Sequence, residues 1–284
     1  MSAPYILTLS CPDRIGIVAT VSTFLAVQQC NILDSAQFGD EHSQQFFLRI
    51  HFQSPDNGPS RQELERLFAG IAAPFNMEWN LYDAAGRNRL LIMVSRFGHC
   101  LHDLLYRCAT QALQADVAAI VSNHGDLASV AGQYGIPFHH LPVTDLDKTG
   151  QEAAVSALAA ELGVHTIVLA RYMQILSPEF AARHAGRIIN IHHSFLPSFK
   201  GALPYQQAFA RGVKLIGATA HYVTADLDEG PIIEQDVARV DHSAGPEELA
   251  AMGRDVECQV LARAVKAHVE HRVLLNGFKT VVFR

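Results

Sequence analysis

Residues 89–95 read RLLIMVS, and this unbroken apolar run decides the fold of the larger part of the chain. A strand with one solvent-exposed face alternates apolar and polar side chains, and this run shows no alternation. Continuous apolar strands are typical of parallel sheets that helices cover on both faces. Residues 116–123 (DVAAIVSN) and 165–171 (HTIVLAR) repeat the pattern, with helical segments between the runs. The alternation of strand and helix predicts an α/β fold with a doubly wound, mostly parallel sheet.

Three further strands and a long final helix extend this part of the chain. The strands are predicted at 187–193 (RIINIHH), 214–224 (KLIGATAHYVT) and 231–240 (PIIEQDVARV), and the helix at 246–272. We therefore expect a second domain that covers residues 89–284.

The first 83 residues follow a different pattern, which predicts the order βαββαβ. Strands are predicted at 5–10, at 32–53 as a pair around the polar turn GDEHS, and at 76–84. One helix begins near Ile15, and a second begins after Ser60, which forms a capping-box pattern with Glu63. This order is that of ferredoxin-like domains. We expect a first domain at residues 1–83 and a short polar linker at 84–88.

The composition excludes several classes of function. A hydrophobic fraction of 49% with 18% charged residues is typical of a globular protein. The formal net charge of −6 argues against a nucleic-acid partner, because no excess of basic residues can neutralise phosphates. No apolar run has transmembrane length, so no membrane partner is expected. The five cysteines are scattered and the first residues do not resemble a signal peptide, which favours a cytoplasmic location.

The first strand-helix turn of the second domain lacks a nucleotide-binding motif. It reads SRFGHC at residues 95–100 and contains one glycine. A dinucleotide fold would place G-x-G-x-x-G at this turn, and a P-loop would place a lysine there. We therefore expect no nucleotide at this position.

The stretch IINIHHSFLPSFKG, residues 188–201, carries polar groups at the end of a buried strand. Asn190 and His192 point to the same side of that strand because side chains alternate, and the carboxyl ends of parallel strands are where α/β sheets place their sites. An amide beside an imidazole can bind the oxygen of a reacting carbonyl group. Carboxylates that could complete the site follow at Asp226, Asp228 and Glu229.

Two long motifs in these segments resemble the folate-dependent formyltransferase family. NIHHSFLPSFKG begins at Asn190, and HYVTADLDEGPII begins at His221. The resemblance covers residues 89–284 and implies that Asn190, His192 and Asp228 are catalytic. It also implies a set of residues that bind the folate substrate: His221, Met173, Gln174, Leu176, Ala225 and Gly201.

The first domain resembles the ACT domains, and the fusion of the two domains resembles the formyltetrahydrofolate deformylase family. That resemblance implies hydrolysis of 10-formyltetrahydrofolate to formate and tetrahydrofolate, which supplies formate for purine biosynthesis and balances one-carbon pools. One alternative is a formyltransferase with an amine acceptor such as glycinamide ribonucleotide. Those enzymes carry a phosphate-binding G-x-G-S-N-type loop where this chain has residues 97–100. The other alternative is a non-catalytic amino-acid sensor.

The resemblance to ACT domains rests on a turn after the first strand and implies a regulatory or dimerising role. The residues concerned are Asp13, Arg14 and Gly16 in the turn, and Asn31 where the second strand begins. An amino-acid effector, methionine or glycine, would bind there in a homo-oligomer, either a dimer or a tetramer. Alternatively, Asp13 and Gly16 serve only as turn and cap residues.

The resemblance also implies a mechanism without a metal ion or a permanently bound cofactor. Asn190 and His192 would hold the formyl oxygen, and Asp228 would accept a proton from the attacking water. Such a base should have a pKa raised by partial burial. His193, adjacent to His192 in a strand, should point to the opposite face, so the pair should not chelate a metal. His193 could line the water site or shape the turn.

Overall fold

The computed structural model describes residues 3–143, 148–193 and 204–284. The chain divides into two compact units, one formed by Met1–Gly86 together with Glu270–Arg284, and one formed by Arg87–Val269. In the described residues, no helix combines the length and the apolar character needed to cross a membrane.

The first unit has the βαββαβ order predicted from the sequence. Its elements are β1 (Ala3–Pro12), α1 (Ile17–Val27), β2 (Asn31–Asp40), β3 (Gln45–Ser54), α2 (Arg61–Ala72), a 3₁₀ turn (Ala73–Phe75) and β4 (Glu78–Asp83). The strands form an antiparallel sheet in the order β2-β3-β1-β4. Ser60 caps α2 by accepting the backbone N–H of Glu63, which confirms the predicted N-cap.

A C-terminal hairpin, which the sequence pattern did not predict, belongs to this first unit. Its strands are β12 (Val273–Asn276) and β13 (Lys279–Val282). Leu274 and Phe283 pack against Phe47 of β3, and Arg49 donates hydrogen bonds to the carbonyls of Glu270 and His271. The predicted extent of the second domain is therefore corrected: residues 270–284 pack with the first unit because their apolar side chains cover its sheet.

The second unit alternates strands and helices. Its elements are β5 (Asn88–Val94), α3 (His99–Ala109), β6 (Ala115–Ser122), α4 (Ala128–Gln133), β7 (Phe138–His140), α5 (Lys148–Glu161), β8 (Thr166–Leu169), α6 (Pro178–Arg183), β9 (Ile188–His192), α7 (Pro204–Ala210), β10 (Leu215–Tyr222), β11 (Ile232–Arg239) and α8 (Pro246–Val269). The final helix thus ends three residues before the predicted boundary at 272.

The seven strands form one sheet in the order β11-β10-β9-β8-β5-β6-β7. Strands β5 to β9 run parallel, whereas β10 and β11 pair antiparallel at one edge. This arrangement confirms the predicted, mostly parallel sheet. Residues 90–94 of β5 are fully buried, as the unbroken apolar run predicted. Burial of each such side chain contributes about 1.5–3 kcal/mol to folding, which fixes the centre of the sheet.

Candidate active site

Strands β9 and β10 bring three polar side chains together. The antiparallel register places His221 opposite Asn190, and His192 lies two residues further along β9. Ile189 and Ile191 are buried on the other side of β9, so Asn190 and His192 share one face, as predicted from strand alternation.

His221 orients the amide of Asn190. Its Nδ1 lies 2.9 Å from the carbonyl oxygen of Tyr222, and a carbonyl only accepts hydrogen bonds, so Nδ1 carries the proton. In the neutral ring, Nε2 is then an acceptor. The amide nitrogen of Asn190 lies 3.2 Å from this Nε2 and donates to it. Among the residues that the structure describes, His221 is the partner of this amide nitrogen, and its second N–H can meet the oxygen of a substrate.

Asp228 lies on the loop after β10 and holds His192. Its Oδ2 is 3.2 Å from Nδ1 of His192, and its Oδ1 is 3.7 Å from Nε2 of His221. Burial alone would raise the pKa of Asp228, but its contacts with His192, above all the hydrogen bond from Nδ1, and with His221 outweigh burial and hold the pKa well below its ordinary value. The expected rise in pKa was therefore wrong. Asp228 is an ionised partner of His192 rather than a strong base.

Gly230 allows the loop to return close to β10. A Cβ atom at this position would lie 1.8 Å from the carbonyl oxygen of Tyr222, which is a backbone atom and cannot rotate away. Only glycine permits this approach without moving the backbone. The close approach fixes the end of the loop two residues after Asp228.

A cleft of about 350 Å³ opens beside these residues. Its volume is within the usual range for small-molecule sites. Two segments form most of the lining, residues 171–176 after β8 and residues 223–228 after β10. The lining includes five of the six residues assigned to folate binding by resemblance: Met173, Gln174, Leu176, His221 and Ala225. Gly201, the sixth, lies outside the described residues.

A buried carboxylate anchors the segment after β8. Glu152 of α5 accepts hydrogen bonds from the backbone N–H of Ser177, at 2.7 Å, and from its hydroxyl. The same hydroxyl caps α6 by accepting the N–H of Phe180 at 3.1 Å. These bonds position the lining residues that precede Ser177.

Comparison with known proteins places the chain in a family. The family model described as "Formyl transferase" matches residues 88–265. The "Formyltetrahydrofolate deformylase" of Corynebacterium sp. (strain P-1) is 48% identical over 280 residues, which are 99% of this chain and 98% of that protein. The crystal structure of formyltetrahydrofolate deformylase from Burkholderia mallei ATCC 23344 matches with a TM-score of 0.95 and 54% identity, covering 99% of this chain and 100% of that chain. The chain belongs to the formyltetrahydrofolate deformylase family.

The resemblance inferred from the two motifs is thereby confirmed. Glycinamide ribonucleotide transformylase 1 from Symbiobacterium toebii is a more distant relative, with 28% identity and a TM-score of 0.66. The match covers 98% of that chain but 72% of this one. The match to this transformylase therefore leaves part of this chain uncovered, whereas the match to the Burkholderia mallei deformylase covers nearly all of it.

His193 was predicted to point away from His192, and that prediction was wrong. The two imidazole rings stack with centroids 4.9 Å apart and planes 17° apart. The reason is that β9 ends at His192, so the alternation of a strand no longer applies to the next residue. Both histidines line the cleft.

A buried cluster around Glu257 was not identified from the sequence. The Glu257 side chain is 1% exposed, and its carboxylate lies 2.6 Å from Nε2 of His99 and 2.9 Å from the hydroxyl of Tyr205. Nε of Arg171 lies 3.5 Å from the same carboxylate. Burial raises the pKa of Glu257, but the His99 hydrogen bond and the Arg171 charge outweigh it and lower the pKa. In the sequence, Glu257 is one of several acidic residues of the final helix, and nothing there distinguished it from the others.

The same cluster contains three potential metal ligands. Donor atoms of His99, Cys100 and Glu257 lie within 4.8 Å of one another. The carboxylate already has the Arg171 guanidinium beside it, and a second cation there would be repelled. The prediction of a metal-free site remains a prediction, and we assign no metal to this cluster.

The proposed effector residues of the first unit do not all lie together. Asp13, Arg14 and Gly16 form the turn between β1 and α1, where Arg14 donates a 2.6 Å hydrogen bond to the carbonyl of Pro74. Asn31 pairs with Gln53, whereas the turn lies beside the opposite end of β3, near Gln45. About 26 Å of strand separates these two ends at ~3.3 Å per residue. Within one chain, Asn31 is therefore not part of a site at this turn.

Proposed function

We propose that the chain hydrolyses 10-formyltetrahydrofolate to tetrahydrofolate and formate. The observation that carries the proposal is the arrangement of Asn190, His192 and Asp228 at a cleft of suitable size, in a member of the formyltetrahydrofolate deformylase family. The reaction supplies formate for purine biosynthesis and balances one-carbon pools. It takes place in the cytoplasm, in keeping with five cysteines that are all free thiols.

The folate ring system would lie between the two segments that line the cleft. Met173, Gln174 and Leu176 are available in the segment after β8, and Ala225 in the segment after β10. Gly201 is proposed to contact the substrate on the strength of the motif alone. This placement directs the formyl group toward the ends of β9 and β10.

The geometry supports a division of labour between Asn190 and His192. The free N–H of the Asn190 amide would hold the formyl oxygen as it becomes negatively charged, an interaction whose loss typically costs 10²–10³-fold in rate. His192 uses Nδ1 to donate to Asp228, so in the neutral ring Nε2 is an acceptor. Nε2 would accept the proton of the attacking water.

Hydrolysis then proceeds by addition of water to the formyl carbon and cleavage of the carbon–N10 bond. The water oxygen forms a bond to the formyl carbon while its proton passes to His192, and Asp228 stabilises the resulting imidazolium charge. The intermediate collapses as the carbon–N10 bond breaks and His192 returns the proton to N10. Formic acid loses its remaining proton to solvent and leaves as formate. Folate is the substrate, and no permanently bound cofactor takes part.

The decisive experiment uses purified protein and 10-formyltetrahydrofolate without an amine. We expect equimolar formate and tetrahydrofolate, and we expect both to disappear in His192→Ala. Turnover that begins only when glycinamide ribonucleotide or another amine is added would instead support a formyltransferase. No turnover under either condition would support the amino-acid sensor.

We also propose that residues 1–83 act as an ACT-type regulatory and dimerising domain. Strand β2 is an edge strand with large exposed apolar side chains at Ile32, Leu33 and Phe38, a surface suited to pairing with a second copy. The β1–α1 turn would bind methionine or glycine. Light scattering should reveal a dimer or tetramer, and a monomer would contradict the first part. Equilibrium dialysis with both amino acids tests the second, and no binding would remove it.

A further inference from the structure

Buried nitrogen atoms without hydrogen-bond partners collect beside the catalytic residues. Within the part of the chain that the structure describes, they are Nε2 of His192, Nε2 of His193, and Nε and Nη1 of Arg171. All three residues line the same cleft. Buried polar groups in folded proteins are normally hydrogen-bonded, so a group of unpaired ones in a cleft indicates where a polar ligand binds.

Arg171 is built into this position. It follows β8 with a left-handed backbone (φ 63°), and its carbonyl accepts the N–H of Ser95 from the neighbouring strand at 3.3 Å. Its side chain is 10% exposed. Strands β5 and β8 are adjacent, and the chain order of the sheet reverses between them, which is where α/β folds bind their ligands.

Glu257 compensates the charge of the buried Arg171 guanidinium without accepting a well-formed hydrogen bond from its N–H groups. The carboxylate supplies a negative charge 3.5 Å from Nε, close enough for ionic attraction but longer than a well-formed hydrogen bond. Hydrogen bonds from His99 and Tyr205 keep that carboxylate in place. Arg171 therefore keeps a fixed positive charge and unused N–H groups.

Hydrolysis and amine transfer differ in what the site must hold. Transfer of a formyl group to an amine gives a neutral amide with one oxygen. Hydrolysis gives a carboxylate with two oxygens, and the second oxygen comes from water. The proposed mechanism assigns the first oxygen to Asn190 and gives the second oxygen a partner, Nε2 of His192, only while it is still part of water.

We propose that Arg171 and His193 form a second-oxygen subsite, which holds the attacking water and then the second oxygen of formate. This inference rests on the proposed hydrolysis. It identifies these two residues as the groups that favour water over an amine acceptor.

The charges around His193 agree with this role. Burial is the largest effect on its pKa, and the positive charge of Arg171 acts in the same direction, while Glu257 and Asp228 oppose it. The net result lowers the pKa of His193 to about 4, so the ring is neutral at pH 7. A neutral Nε2 can hydrogen-bond to water. The guanidinium repels an ammonium group, which is the form most amine acceptors have at neutral pH.

The test compares formate with formamide, its neutral analogue, as inhibitors of hydrolysis and as ligands in the presence of tetrahydrofolate. The first variant is the double change Arg171→Gln with Glu257→Gln, which removes both charges of the buried pair. The second is His193→Phe, which keeps a flat ring against His192 but removes the nitrogens. Arg107→Gln is the matched control, because Arg107 pairs with Asp103 on the surface of α3.

We expect the unaltered protein to bind formate at least tenfold more tightly than formamide. The double variant should lose this preference, His193→Phe should lower kcat at least tenfold, and both should keep tetrahydrofolate affinity within about threefold. Circular dichroism checks folding. If the double variant does not fold, Arg171→Lys replaces it in the test. Arg171→Lys keeps the charge and should retain part of the preference for formate over formamide.

Hydrolysis by the unaltered protein distinguishes failure of the subsite from failure of the proposed function. If it hydrolyses the substrate but formate affinity is the same in the unaltered protein, the double variant and Arg171→Lys, the subsite is refuted and the proposed function stands. If it forms no formate without an amine, the proposed function fails, and the subsite fails with it.

Discussion

Replacement of Asp228 by asparagine isolates the charge that holds His192. The backbone of Asp228 is in the left-handed region (φ 57°), which asparagine tolerates about as well as aspartate does. The two side chains have the same shape, so the loop and the cleft lining should be unchanged. An alanine at this position would add backbone strain and would confuse the interpretation.

The expected loss of activity follows from the contacts of the carboxylate. The 3.2 Å contact to Nδ1 of His192 leaves Nε2 free to accept a proton and stabilises the ring when it is charged. Positioned proton transfer typically contributes 10²–10⁴-fold to a rate. We therefore expect kcat of Asp228→Asn to fall by about 10²–10⁴-fold, with folate affinity within about threefold.

Stability should change much less than activity. A carboxylate whose pKa is held below its unfolded value contributes on the order of 2 kcal/mol at neutral pH, and that contribution is lost only as the pH falls through its folded pKa. Asparagine keeps one oxygen acceptor and should recover part of this free energy. The melting temperature should thus fall by a few degrees.

The assay measures formate and tetrahydrofolate under single-turnover and steady-state conditions, with fluorescence titration of a folate analogue for affinity. Asp103→Asn is the control, because it makes the same chemical change in a surface ion pair of α3. A kcat within tenfold of the unaltered enzyme in Asp228→Asn would refute the role assigned to this carboxylate.

Three further perturbations have defined outcomes. Gly230→Ala places a Cβ 1.8 Å from a β10 carbonyl oxygen, so we expect at least about 3 kcal/mol of destabilisation by urea unfolding, and an unchanged midpoint would contradict the close approach. Gly253→Ala places a Cβ 1.9 Å from the hydroxyl of Tyr205 and should lower kcat and formate affinity together, with Tyr205→Phe as the comparison. The free energy of unfolding should also depend on pH. Burial lowers the pKa of His268 to about 4, and it is the largest cause of the lowered pKa of His193, which is also about 4. The unfolded chain therefore binds more protons than the folded chain between pH 6.5 and 4. Stability should be full above pH 6.5 and fall by about 3 kcal/mol per histidine toward pH 4, and unfolding curves that coincide at pH 7 and 5 would exclude this.

The parallel sheet and the placement of Asn190 and His192 on one face could be predicted because their signals are local. An apolar run without alternation identifies a buried strand, and alternation in β9 placed Asn190 and His192 on one face. The stacking of His193 on His192 was missed because it depends on the last residue of β9, and strand ends are poorly marked in a sequence.

The Glu257 cluster was missed for a different reason. His99, Arg171, Tyr205 and Glu257 come from four separate parts of the chain, and each alone resembles an ordinary surface residue. Only their burial and short distances in the folded chain distinguish them. The pKa of Asp228 was predicted in the wrong direction because burial was counted without the two histidines beside it.

The β12–β13 hairpin makes the completion of the first unit depend on a segment that is synthesised long after residue 83. Residues 3–83 leave the ribosome first, but Phe47, which is 1% exposed in the folded chain, is covered by Leu274 and Phe283 from the other end. The first unit therefore keeps an apolar face uncovered until residues 270–284 have been synthesised, although domains normally fold as they emerge. A fragment ending at residue 86 would keep that face exposed and should aggregate, and adding the segment 270–284 to it should restore solubility.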